Sequence, residues 1–339
     1  MSKDEHSARA KITVVMPAYN AAELMADVLT PLLQMHEAGE IDQILVIDDR
    51  STDTTAARAR VLGAEVIIAE RNGGPGAARN LAARHADGEI LWFVDSDVVA
   101  DPAGPALIRR AFTSPDVVAV FGSYDDAPRG TSWISQYKNL VHRYYHQRAP
   151  SEASTFWAGC GAVRKSAFLE IGGFDVETFT QPSIEDIDLG YRLRHKGGRI
   201  LLLPDLLGKH LKVWTFSSVL RTDIFMRALP WSRLLITREG LSDDLNISVA
   251  ERFRAGLALL LLLGLLMLPF YPAAWPAVFA IFILCILANA SLYRFMKANG
   301  GFAFAIFAVS FHQIYYIYSS VAFVYCLFEA KYISPRSAQ

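Results

Sequence analysis

The chain reads as a doubly wound α/β domain with a mostly parallel sheet, followed by a C-terminal helical membrane domain. Three observations predict this. Four short apolar runs in the first 95 residues are separated by turn signals and helical patterns. Those runs are continuous rather than alternating, as in strands covered on both faces, and the interposed helices are the crossovers that a parallel sheet requires. Residues 255–328 hold two charges, Arg294 and Lys297, in 74 positions, which suits a bilayer.

The elements follow in order. The first run, Ile12 to Met16, stops at Pro17, and a helical pattern covers Ala21 to His36. The second, Ile44 to Asp48, ends in acids and a turn, with a short helix after Thr52. The third, Glu65 to Ala69, leads through a glycine-rich stretch into a helix from Pro75 to His85, and the fourth runs from Ile90 to Asp95. A further apolar strand, Ile200 to Leu203, precedes His210. Residues 215–238 interleave Arg221, Arg227, Arg233 and Arg238 with Phe216, Phe225, Trp231 and Leu234. That pattern fits either an interfacial helix against anionic headgroups, which Pro230 must break or kink, or a packing helix with solvated arginines. Residues 1–238 are therefore expected to form a cytoplasmic catalytic domain ending in interfacial helices, and 239–254 a charged linker. About three spans are expected within 255–330: Ala255–Phe270, Ala273–Leu292 and Phe302–Phe328. His312 and Gln313 in the third imply that it is broken or packed on protein.

Composition excludes several classes. With 33 basic and 34 acidic side chains the chain has no electrostatic footprint for nucleic acid. Three cysteines without metal spacing exclude a disulfide scaffold and a zinc site. The N-terminal residues contain no apolar stretch, so no signal peptide is expected. Arg252, Arg254, Arg294 and Lys297 then place the catalytic domain on the cytoplasmic side, with Lys331 and Arg336 in mild conflict.

Ligands of such a sheet bind outside the carboxyl ends of its strands. Those ends read Pro17-Ala18-Tyr19-Asn20, Asp48 to Asp53, Glu70 to Gly76, and Asp95-Ser96-Asp97. Asp48 and Asp49 are either a turn or ligand carboxylates. Asp95 and Asp97, two residues apart at a buried strand's end, would repel unless donors or an oxygen-seeking Mg²⁺ or Mn²⁺ compensate. The glycine run lacks both G-x-x-x-x-G-K-[ST] and G-x-G-x-x-G, so Gly73, Gly74 and Gly76 serve close backbone approach. Arg71 pairs with a ligand or is solvated.

Six segments in order, VVMPAYN, VIDDRSTDTT, NGGPGAARN, FVDSDV, WAGCGAVRKSAFLEIGGFD and IEDIDLGYRLRHKG, resemble the family 2 glycosyltransferases over about residues 12–204. These are inverting enzymes of the nucleotide-sugar-binding GT-A fold. The resemblance implies that Pro17, Ala18, Tyr19, Asn20, Asp48 and Asp49 hold the nucleotide with Arg71, Gly76, Asp95 and Ser96. Asp95 and Asp97 would anchor the divalent metal, with His210 a weaker candidate. Glu185 and Asp186 match the acidic pair near the acceptor, and Asp186 takes the place of the catalytic base.

The chemistry agrees with those roles. Displacing a nucleoside diphosphate builds charge on the leaving oxygens, which a metal neutralises. An acceptor hydroxyl needs a carboxylate to take its proton. Equally, Glu185 and Asp186 suit the first turn of a helix capped by Ser183, and a lipid phosphate acceptor, already an anion, would leave Asp186 only a positioning role. The expected protein is an integral protein of a bacterial inner membrane. It would move sugar from a UDP-sugar to a membrane lipid, polyprenyl phosphate or lipid-linked glycan; the alternative is a silent nucleotide-sugar sensor or scaffold.

Overall fold

The computed structural model describes residues 9–240 and 247–333. The N-terminal residues read for a signal peptide, residues 241–246 of the expected linker, and Arg336 lie outside the described residues. The chain divides into two compact units: Met1–Arg129 with Ala149–Lys212, and Gly130–Arg148 with Val213–Gln339.

The first part of the chain runs β1 (Ile12–Ala18), α1 (Met25–Glu37), β2 (Gln43–Asp48), α2 (Thr55–Leu62), β3 (Glu65–Ile68), α3 (Gly74–His85) and β4 (Ile90–Val94). It continues through β5 (Val98–Ala100), α4 (Gly104–Ala111), β6 (Val117–Tyr124), α5 (Trp133–His146), β7 (Glu152–Ala153) and β8 (Cys160–Arg164). Then come α6 (Lys165–Glu170), α7 (Glu185–His195) and β9 (Arg199–His210). All of these except α5 belong to the first unit.

The strands make one sheet in the order β3-β2-β1-β4-β8-β6-β9-β5, with β7 also on β9. The expected parallel winding holds from β3 to β4. Beyond β4 the sheet is mixed: β8 runs antiparallel to β4 and β6, β6 parallel to β9, and β5 and β7 antiparallel to β9. Every residue of β1 and β4 is buried, whereas β3 is an edge strand, half covered. Successive side chains alternate between faces, so Val46 and Trp92 join the layer with Met25, Leu29 and Leu32. Ile47 and Phe93 join the opposite layer with Phe156, Phe168 and Phe174.

The second unit adds to α5 the helices α8 (Phe216–Arg221) and α9 (Leu229–Leu234), joined by a π-helical stretch Thr222–Ala228. The expected break at Pro230 is absent. Pro230 follows on the wider π turns of Thr222–Ala228, and the chain stays helical across it. Three further helices follow: α10 (Val249–Met267), α11 (Trp275–Ala288) and α12 (Ala290–Phe328). Residues 290–300, split in the sequence reading between a span and a charged loop, are helical, and the chain departs from helical geometry at Gly301 (φ 79°). Only glycine adopts that conformation readily.

Among the described residues one helix, Ala290–Ile333, is long and apolar enough to cross a membrane; Pro272–Ala288 is apolar but shorter. Past Gly301 the helix is unbroken, and His312 is packed on protein. Fully buried, it bonds Tyr137 Oη through Nδ1 at 2.6 Å. Buried Glu251 accepts from Tyr145 Oη (2.9 Å) and Tyr316 Oη (2.6 Å) and pairs with Arg254.

Candidate active site

At the end of β1, Pro17 and Ala18 are buried while Tyr19 and Asn20 turn outward. Asn20 takes a left-handed conformation (φ 49°), and its Oδ1 accepts from Thr52 N at 2.8 Å while its N–H donates to Ser51 Oγ at 2.9 Å. Asp53 accepts from Ala22 N at 3.1 Å. The loops after β1 and β2 are thereby stitched into one rim.

The acids of that rim have different places. Asp48 is 4% exposed, and its Oδ1 is buried with no hydrogen-bond partner among the described residues. A buried carboxylate oxygen left in this state is costly until a donor reaches it. Asp49 instead accepts from Gly73 N (2.9 Å) and Gly74 N (2.7 Å), anchoring the start of α3. Burial pushes its carboxyl above the ordinary value, against the pull of those two amides. Both Asp49 oxygens thus serve the glycine loop. Gly76 is buried beside the start of α7: a methyl there would meet Phe174 Cβ at 3.3 Å and Glu185 Cγ at 3.7 Å. Arg71 is exposed.

The two acids beyond β4 are also divided. Asp95 Oδ1 accepts from the guanidinium of Arg79, a buried side chain of α3 that lies 5.3 Å from the Phe174 ring centroid and 5.9 Å from that of Phe93. Burial pushes the Asp95 carboxyl up, opposed by the charge of Arg79. Asp97 Oδ2 lies 3.5 Å from His210 Nε2, because β5 pairs with β9 so that Val98 sits opposite His210. Burial acts upward on Asp97 too, but the hydrogen bond and charge of His210, with the charge of Lys212, hold it below the ordinary value. Half-buried Ser96 lies between the two.

A cation between Asp97 and His210 would take the place of the proton that they share, bound by one oxygen and one nitrogen. Among the described residues no three His, Cys, Asp or Glu side chains form a metal cage. The donor pair therefore fits a Mg²⁺- or Mn²⁺-type ion that takes its remaining ligands from phosphate oxygens, the usual arrangement for an ion bridging protein and diphosphate. Asp95, bound to Arg79, is the less available of the two carboxylates.

The backbone of residues 158–159 links these acids to α7. Gly159 O accepts from Asp95 N at 3.3 Å, and Ala158 N donates to Asp186 Oδ2 at 3.3 Å. Asp186 Oδ1 also accepts from Ile187 N at 2.9 Å. The helix can come this close because residue 190 is glycine: a Cβ there would lie 2.4 Å from Phe156 N. The expected cap by Ser183 is replaced by a reversed arrangement, in which Glu185 Oε2 accepts from Ser183 N at 2.7 Å. Asp188 is held by Arg192 (2.6 Å) one turn along α7.

The structure thus brings Asp48, Asp95, Asp97, His210, Glu185 and Asp186 to the carboxyl edge of one sheet. The sequence reading missed Arg79, although its place beside Ala78, Ala82 and Ala83 on the buried side of α3 was a signal, since a buried arginine needs a carboxylate. It also missed Tyr124 and Trp157. Tyr124 stacks on His210 (4.4 Å) and meets Trp157 edge-on (4.7 Å), contacts made across the sheet with no local pattern.

Residues 13–172 match the profile of glycosyl transferase family 2. The chain carries a family 2 glycosyltransferase domain. Residues 138–213 also match the profile described as the N-terminal domain of galactosyltransferase. A validoxylamine A glucosyltransferase of Streptomyces hygroscopicus subsp. jinggangensis is 30% identical over 219 residues, 55% of this chain and 52% of that one. The O-antigen chain rhamnosyltransferase of Salmonella typhimurium is 26% identical over 239 residues, 65% of this chain and 74% of that one. The crystal structure of GalNAc-T7 with UDP, GalNAc and Mn²⁺ shares the fold, with a TM-score of 0.51, 15% identity, and coverage of 68% of this chain and 48% of that one. The chain spans about half the length of the Streptomyces relative.

Proposed function

We propose that this protein is a metal-dependent, inverting glycosyltransferase that moves a sugar from a nucleoside diphosphate donor to a membrane lipid or lipid-linked acceptor. The observation that carries this reading is the link through residues 158–159. Asp186 is hydrogen-bonded to Ala158, and Asp95, two residues from Asp97, to Gly159. The backbone of Asp95, which leads to the metal-holding Asp97, and the carboxylate of the proton-accepting Asp186 are thereby fixed to adjacent residues of one segment.

In this reading the orphan Oδ1 of Asp48 accepts from the donor's base or ribose, and uridine is the default base implied by the family resemblance. Asp97 and His210 would hold the divalent cation, which would supply positive charge to the leaving diphosphate. Arg79 keeps Asp95 oriented at the same edge. Asp186 takes the proton of an acceptor hydroxyl as it attacks the anomeric carbon from the side opposite the leaving group, so the configuration inverts; such a base contributes ~10²–10⁴-fold. The two backbone N–H groups on Asp186 fix its orientation. Catalysis by this chain on the cytoplasmic side of an inner membrane, through spans in α10, α11 and α12, completes the proposal; the apolar composition of residues 255–328 supports it.

The test is to incubate membranes containing the full chain with labelled nucleotide sugars and Mn²⁺ and to partition the label between organic and aqueous phases. Label in the organic phase with one donor is the expected result. Nucleotide binding without transfer to any extractable lipid or glycan would overturn it and favour a sensor.

A further inference from the structure

Within the second unit, α10, α11 and the part of α12 after Gly301 enclose a groove of about 670 Å³, lined by residues such as Leu261, Leu265, Phe279, Phe282, Val309 and Gln313. That volume lies within the ~300–1,000 Å³ typical of ligand sites. Its lining side chains are apolar apart from Ser310, Gln313 and the indole N–H of Trp275.

Two observations indicate what fills it. The Gln313 amide is satisfied on one side only: Nε2 donates to Tyr293 Oη at 3.0 Å, while Oε1 is buried without a hydrogen-bond partner among the described residues. Tyr293 Oη can serve either end of an amide, so whichever way the amide is turned, one polar atom remains for a ligand. The outward faces of the same helices are also apolar and exposed, at Leu260, Leu263, Leu284 and Leu287, as helices bathed in lipid tails are. The groove thus combines an apolar lining with one amide whose hydrogen bonding is incomplete.

We infer that this groove holds one hydrocarbon chain of a membrane lipid, with the first polar group of that lipid on the Gln313 amide. The lining suits such a molecule in kind: hydrocarbon against Leu265 and Phe282, and a polar group on the Gln313 amide. That the occupant is the sugar acceptor rests on the lipid-acceptor reading; that the groove binds a lipid chain does not.

The experiment uses the full chain in nanodiscs of phosphatidylethanolamine and phosphatidylglycerol doped with a lipid bearing a photoactivatable diazirine at its tail. Labelled peptides are mapped after irradiation. Labelling concentrated on Leu265, Phe282 and Val309 over the outward Leu263 and Leu284 is expected. Ile306→Trp, which fills the groove from a lining position, lowers it about tenfold, equivalent to about 1.4 kcal/mol of binding, whereas Leu284→Trp on the outer face leaves it unchanged. Gln313→Leu weakens it without moving the labelled positions. Equal labelling of inward and outward residues in the unaltered chain, or groove labelling insensitive to a folded Ile306→Trp variant, would overturn the proposal. Retained nucleotide binding verifies folding in each variant. Groove labelling in a chain that transfers no sugar to lipid would count against the acceptor reading and leave the groove assignment standing.

Discussion

The two units bury charged side chains in different ways. In the first, the acids stand at strand ends or in the first turn of α7, and the backbone holds two of them: Asp49 on Gly73 and Gly74, Asp186 on Ala158 and Ile187. In the second, Glu251 in the first turn of α10 and His312 within α12 are met by side chains: Arg254, one turn along α10, pairs with Glu251, and hydroxyl groups from other helices bond both. Those hydroxyls belong to Tyr137, Tyr145 and Tyr316. Strand ends leave carboxylates oriented yet open to a ligand. In the second unit side-chain partners lock such groups into packing, and the buried charge there serves assembly of the unit.

Substitutions sharpen that contrast. Asp97→Ala has the largest expected effect, a loss of ~10³-fold or more in metal-dependent transfer, because a bound cation supplies several kcal/mol of charge stabilisation. Steady-state transfer across a Mn²⁺ titration measures it, and full activity would remove Asp97 from the metal site. Asp186→Asn is expected to cost ~10²-fold or more in transfer while nucleotide affinity holds; an equal fall in both would make it a donor ligand.

In the second unit, Glu251→Ala removes one member of a buried cluster and is expected to cost about 3 kcal/mol of stability. Thermal denaturation in detergent should show it, with nucleotide affinity of the folded fraction unchanged. A variant as stable as the parent would mean that the cluster does not hold the helices together.

The smallest effect lies at the protein surface. Asp116, exposed and hydrogen-bonded by Arg199 and Ser114, is held down to about 2 from its ordinary 3.8. Because the folded value is the lower one, this contribution is fully present above about pH 4 and is lost as pH falls towards 2. Arg199→Gln should return the Asp116 titration, followed by NMR, towards its ordinary value, and no movement would assign the shift elsewhere.

The same contrast explains what could be read from the sequence. The first four strands and their crossovers were legible because continuous apolar runs and helical periodicity are local signals, and the acids at their ends fell where chain direction places ligands. The mixed half of the sheet was not, since β8 pairs with β4 across about 70 residues and nothing local specifies an antiparallel partner. The assignment of α5 to the second unit was equally hidden: Tyr137 and His312 are 175 residues apart. Asp95 and Asp97 looked equivalent in sequence, and only the positions of Arg79 and His210 distinguish them.

The central claim is that donor activation and proton acceptance rest on separate carboxylates, Asp97 and Asp186, whose chain segments meet at residues 158 and 159. Its most direct test is to compare radiolabelled sugar transfer and nucleotide affinity in the same membranes for the parent chain, Asp97→Ala and Asp186→Asn. The account predicts that both variants lose transfer, that Asp97→Ala also loses the Mn²⁺ dependence of nucleotide binding, and that Asp186→Asn keeps it. Undiminished transfer by Asp186→Asn, or Mn²⁺-dependent nucleotide binding that survives in Asp97→Ala, would contradict it.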